Sequence, residues 1–182
     1  MRWLFPALAA VLVFGCSTFS STPTLSDAQQ AIADLKFKES GLTITGAVEP
    51  AGSHFHVGDP VTLTVTVNGD ASVAVLRVER NGVTTIVFPN KAQPDARVKA
   101  GTVLRIPAPG TFPTVIADRP GPELFKFIAS TGDAEAWLFT KQPPPGVDFV
   151  DLGSTSRAVA HEIRSALKGA AASAYLAIFV GG

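Results

Sequence analysis

The sequence predicts a mainly β chain: an antiparallel β-sandwich of immunoglobulin-like type, with short helices at both ends. Three observations predict it. Residues 61–67 read VTLTVTV, in which Val61, Leu63, Val65 and Val67 alternate with three threonines, the pattern of a strand covered on one face. Residues 71–79 (ASVAVLRVE) and 82–88 (GVTTIVF) are β-branched runs flanking Asn81–Gly82, a strong hairpin signal because both residues tolerate positive φ. Glycine (16) and proline (14) are frequent and stand mostly between the apolar stretches, as turn residues do.

The remaining elements can be taken in chain order. Ser26 and Gln29 form a Ser-x-x-Gln capping box with Asp27 in the first turn, so a helix is expected at about 27–36, with Ala28, Ile32 and Leu35 on one face. Residues 41–49 alternate weakly and read as a strand. Residues 89–101 form a polar loop with two prolines, and 102–108 (TVLRIPA) a further strand. Residues 123–130 (ELFKFIAS) and 134–140 (AEAWLFT) read as strands, and the KQPPPG run at 141–146 as a stiff break. Val159, Ile163, Ala166 and Leu167 have helical spacing, which predicts a helix within 154–169, capped by the GSTSR segment and closed by Gly169. The apolar end, residues 173–182, reads as a last buried strand, far too short to span a bilayer.

The 182 residues are enough for one domain with a real core. Fifteen basic and fifteen acidic residues balance, so the chain lacks the basic footprint that nucleic-acid binding needs. Its single cysteine, Cys16, makes an intramolecular disulfide impossible. That cysteine ends a secretory pattern: Met1–Arg2, then a 12-residue apolar run from Trp3 to Phe14, then Gly15. Val13, Gly15 and Cys16 resemble the bacterial lipobox, with Phe14 an uncommon occupant between them. The resemblance implies cleavage before Cys16, a diacylglycerol on its thiol and an acyl chain on the new amine. Two or more chains are what stable anchoring requires. It divides the chain into a signal peptide (1–15), a lipidated cysteine with a flexible tether (16–25) and a single domain (26–182). Removal of Arg2 with the signal leaves one more acid than base. Ser17, where an aspartate would mark inner-membrane retention, points to the outer membrane, facing the periplasm.

The middle of the chain carries a second resemblance. Val57–Gly58–Asp59 at a strand entry, Phe88–Pro89–Asn90 at a hairpin end, Gly101 with Ile106–Pro107, and Gly121 through Glu123 to Ser130 occur in an order similar to a bacterial domain-of-unknown-function family, the one numbered 4384. The similarity covers about residues 42–130. Val73 stands where members often carry an aromatic residue. The resemblance implies an envelope or surface location and supplies no catalytic residues.

Few residues suggest chemistry. His54 and His56 share one side of a strand, but a structural zinc site takes four ligands and a catalytic one three, so no metal is expected. No nucleophile elbow or phosphate loop is present. Asp148 and Asp151 read as helix-capping or solvated carboxylates. Arg157, His161, Arg164 and Lys168 recur at helical spacing opposite Val159 and Ile163, forming a basic stripe. Its plain reading is a solvated face; its functional reading is a docking surface for an acidic partner or anionic headgroups. Asn90 and Asp95, on the long loop, form a second candidate contact surface, against ordinary turn chemistry. The expectation is a lipid-anchored, non-enzymatic envelope adaptor or assembly factor, without cofactor, held to the membrane by its lipid and contacting an envelope protein. A periplasmic ligand-binding or sensing module is the alternative.

Overall fold

The computed structural model describes residues 23–111, 115–153 and 155–182. The signal pattern, Cys16 and the first residues of the tether lie outside them.

The chain forms α1 (Asp27–Ala33), β1 (Ile44–Glu49), β2 (His54–His56), β3 (Pro60–Val67), β4 (Ala71–Val78), β5 (Thr84–Phe88), β6 (Arg97–Val98) and β7 (Leu104–Ile106). Next come β8 (Val115–Ile116), β9 (Gly121–Thr131), α2 (Trp137–Thr140), β10 (Val150–Asp151), α3 (Ser156–Ala166) and β11 (Ala170–Gly181). The protein is mainly β, with two sheets facing each other in a sandwich-like arrangement. The smaller sheet runs β1-β3-β7, with β8 also on β3; the larger runs β10-β5-β4-β9-β11-β2, with β6 beside β5 on β4. Among the described residues all strand pairings are antiparallel except one: β2 runs parallel to β11, Phe55 opposite Val180.

The alternation in β3 does what it predicts. Val61, Leu63, Val65 and Val67 are buried against Val73, Val75, Phe125 and Phe127 of the larger sheet. β4 and β9 do not alternate in burial; nearly every residue of both is buried. Their second face, with Ala74, Leu76, Leu124 and Ile128, is covered by Ile32 and Leu35 from the α1 region, Leu138 and Phe139 of α2, and Val159 and Ile163 of α3. The helices are therefore a third layer, so the domain is sheet on sheet on helix.

Five local expectations change. Residues 137–140 make a helical turn, not a strand, which lets the adjacent Leu138 and Phe139 both reach the sheet; a strand would point them to opposite faces. Helix α1 stops at Ala33, with Asp34 as its C-cap, short of residue 36. The β4–β5 turn uses Gly82 alone at positive φ (+90°): Gly82 N–H bonds to Glu79 O and Glu79 N–H to Val83 O. That is a type I turn with a glycine bulge, in which Asn81 keeps negative φ and its Oδ1 accepts the Val83 N–H. Gly169 does not close α3; it lies hard against the Thr131 backbone oxygen, and its N–H bonds to Asp133. The last strand begins at Ala170 and is only partly buried, with Tyr175 and Phe179 exposed.

The long strands run between two ends of the domain. At one end lie Ser26, the Arg80–Gly82 turn, Pro122, the start of α3 and Phe179: Ser26 Oγ bonds to Arg80 O, and Ser156 Oγ to Gly82 O. At the other lie Asn68–Asp70, Lys99–Gly101, Ser130–Asp133 and Gly169. Among the described residues no helix is long and apolar enough to cross a membrane.

A Cβ at Gly46 of β1 would overlap the ring of Phe127, which is buried between the sheets and has no room to yield. Gly46→Ala is expected to cost about 1–3 kcal/mol in urea or guanidinium unfolding, with unchanged m-value.

Candidate functional site

Helix α3 is capped by Thr155, whose hydroxyl accepts the Ala158 N–H, and buries Val159, Ala160 and Ile163 on the sheet. That fixes the opposite side of the helix outward. Arg157, His161 and Arg164 are exposed there, and Lys168 is exposed two residues beyond the helix end. Among the described residues none of the four has an ion-pair partner. The stripe extends along the strand direction, from Arg157 beside Asp27 and Asp151 at one end to Lys168 beside Asp133 at the other. Burial works against the charge of Asp133, but the Ser130 hydroxyl and the Gly169 and Lys168 amides hold its carboxyl below the usual range.

The second candidate surface separates into two unlike residues. Asn90 is 1% exposed and is no surface contact. Its Oδ1 accepts the Ala92 and Gln93 N–H groups and its Nδ2 donates to Val87 O, so it is an internal staple of the loop. Asp95 is exposed, but its carboxylate is engaged by Arg97 through Nε and Nη2, each at 2.8 Å. Those bonds hold its pKa at about 2. Asp95 and Arg97 line a cavity of about 550 Å³ with Asp70, Lys99 and Ser130 at the end of the domain opposite Arg157. Asp95 and the start of the stripe therefore do not form one site.

His54 and His56 are both exposed, with Phe55 buried between them, and share one side of β2. His54 stacks obliquely on Phe179, ring centroids 5.9 Å apart. Among the described residues no group of three or more His, Cys, Asp or Glu side chains could hold a metal ion.

Two buried charged groups are hidden in the sequence. Arg77 of β4 bonds to Glu123 of β9 at 2.5 Å and also to Asp118; Glu123 is 3% exposed. Burial raises the Glu123 carboxyl, against the pull of Arg77. Lys126 is the other. It is 2% exposed, in the middle of β9 on the helix-covered face. Its Nζ donates to Ala33 O (2.9 Å) and Leu35 O (2.8 Å), two carbonyls left open where α1 ends. Burial lowers its pKa to about 8, with Asp34 opposing and Lys36 adding to the shift. Charged residues inside apolar strands read as outward-facing, and only a two-sided burial pattern would have marked them.

Residues 54–133 match the family described as domain of unknown function (DUF4384). That segment, β2 through the end of β9, resembles the DUF4384 domains. No curated protein and no solved structure matches the chain. Several residues that carry the DUF4384 likeness hold the framework. Asp59 Oδ2 accepts the His56 N–H, and Gly58, at φ +96°, donates to Ala117 O. Asn90 staples its loop, Gly101 N–H bonds to Val67 O, and Glu123 pairs with Arg77. The exposed stripe on α3 lies outside the matched residues.

Two measurements test these buried charges. Arg77→Met leaves Glu123 buried without its cation and should destabilise the domain by roughly 3–5 kcal/mol, whereas Arg77→Met combined with Glu123→Leu should recover much of that loss. For Lys126 the folded pKa (about 8) lies below the ordinary 10.5, so between those values the unfolded chain holds more protons. Stability of the native protein should therefore rise from pH 8 toward 10.5 relative to Lys126→Met, whose profile lacks that rise. Parallel profiles for the two proteins would contradict this.

Proposed function

We propose that this protein is a non-enzymatic, lipid-anchored envelope protein of a bacterium. It sits at the outer membrane facing the periplasm and uses the outer face of α3 as an adaptor or assembly surface. The observation that carries the reading is the stripe itself: Arg157, His161 and Arg164 are fixed outward by the burial of Val159 and Ile163, and no acid of the described residues pairs with them. Unpaired guanidinium groups held on a rigid helix, here those of Arg157 and Arg164, suit an acidic protein surface, where complementary charge speeds encounter and selects partner. The lipobox-like Val13–Gly15–Cys16 pattern supports the anchor, and the similarity to the DUF4384 domains is in keeping with an envelope setting.

A second reading comes from the cavity at the far end, where Asp70, Asp95, Arg97 and Lys99 present both signs of charge around about 550 Å³. A ligand-binding or sensing module would use that cavity.

Affinity recovery from detergent-solubilised membranes separates the readings. The adaptor reading expects an envelope protein in fixed ratio with the native protein, lost on the double change Arg157→Glu and Arg164→Glu and reduced in Cys16→Ala. Undiminished recovery with the reversed charges would remove α3 from the proposal. A protein recovered alone, with a thermal shift on adding a small charged ligand, would favour the sensing module.

A further inference from the structure

We propose that the end of the domain where the tether enters is a membrane-apposed surface, and that its partner is the phospholipid bilayer. The proposal rests on the lipid-anchor reading of Cys16 and adds a face and an orientation to it. Seven chain steps separate Cys16 from Pro23. Fully extended they reach about 25 Å. The eleven residues of β9 run from this end to the opposite one, about 33 Å at strand rise. The tether therefore keeps the near end within its reach of the bilayer, and the far end with Asp70 and Lys99 is the end free to stand away from it.

The near end has the chemistry for that contact. Leu25, His54, Arg80, Pro122 and Phe179 line a shallow groove of about 510 Å³ beside Pro23. Phe179 is 40% exposed, an unusual position for a phenylalanine; Val57, joined to Gly181 by its N–H, is 48% exposed. Arg80 is exposed and has no ion-pair partner among the described residues. An exposed aromatic ring beside a free guanidinium suits the headgroup layer, where rings lie at the interface and cations meet phosphate. The contact can be weak, because a short tether supplies an effective concentration in the mM range.

The test uses the full-length, lipidated protein in vesicles of phosphatidylethanolamine and phosphatidylglycerol doped with brominated lipid. With the Cys16 thiol occupied, Val57→Cys or Thr102→Cys supplies a unique labelling site for an environment-sensitive fluorophore, one at each end. Mass spectrometry of the same samples reads the modification of residue 16. Quenching at 57 is expected to exceed that at 102 by about threefold or more, and Phe179→Asp should bring 57 down toward the level of 102. Equal quenching at the two positions in a sample shown to be lipidated would overturn the membrane-facing end and leave the anchor standing. Quenching at 57 that is unmoved by Phe179→Asp would overturn the apolar contact. An unmodified residue 16 would overturn the anchor, and this proposal with it.

Discussion

The central pair of strands, β4 and β9, is buried on both faces, and the rest of the domain is arranged to satisfy that. One face is met by the smaller sheet through the valines and leucine of β3. The other has to be covered by helices, since an exposed Leu76, Leu124 and Ile128 would present a broad apolar surface to water. Lys126 makes the second cover specific. A buried ammonium needs acceptors, and it finds them in Ala33 O and Leu35 O at the end of α1. The charge thus fixes where α1 must end and how it sits on the sheet.

Much of this frame is legible in the residues, and the illegible part has a common cause. The alternation of β3, the Ser26–Gln29 capping box and the apolar face of α3 are local patterns, and each appears as read. What local patterns do not carry is a second cover. A strand buried on both faces and a strand buried on one both read as β-branched runs when a charge interrupts them. Arg77, Glu123 and Lys126 look like solvent-facing residues until the third layer is placed over one face and the sandwich closed over the other. Residues 134–140 read as a strand for the same reason: their fit to the sheet depends on a helix layer no local pattern reveals. Asn90 shows the converse, a turn-forming residue whose side chain is consumed inside its own loop.

The stripe on α3 is legible because it needs only helical spacing and a buried opposite face. Its surroundings are not. That Asp95 lies by a different cavity, at the other end from Arg157, is set by the crossings between sheets. The part of the chain that resembles the DUF4384 domains supplies turns, staples and a buried ion pair, while the stripe on α3 belongs to the C-terminal segment beyond it. The α3 stripe alone, among the candidate contact surfaces, falls wholly outside the matched segment.

Gln29 gives the attachment of the first helix a mechanical meaning. Its side chain completes the capping box and is then fully buried, with Nε2 bonded to Val78 O at 3.0 Å and to Pro122 O at 2.7 Å. Tension entering the domain at Ser26 meets this amide within one turn. It passes directly into the adjoining ends of β4 and β9, whose hydrogen-bond ladder lies side by side along most of its length. Because both bonds lie at the same end of the two strands, a load on α1 draws β4 and β9 together in one direction instead of sliding one along the other. The attachment of α1 at this point rests on two hydrogen bonds from one buried side chain, where the strands beneath it are joined over seven residue pairs.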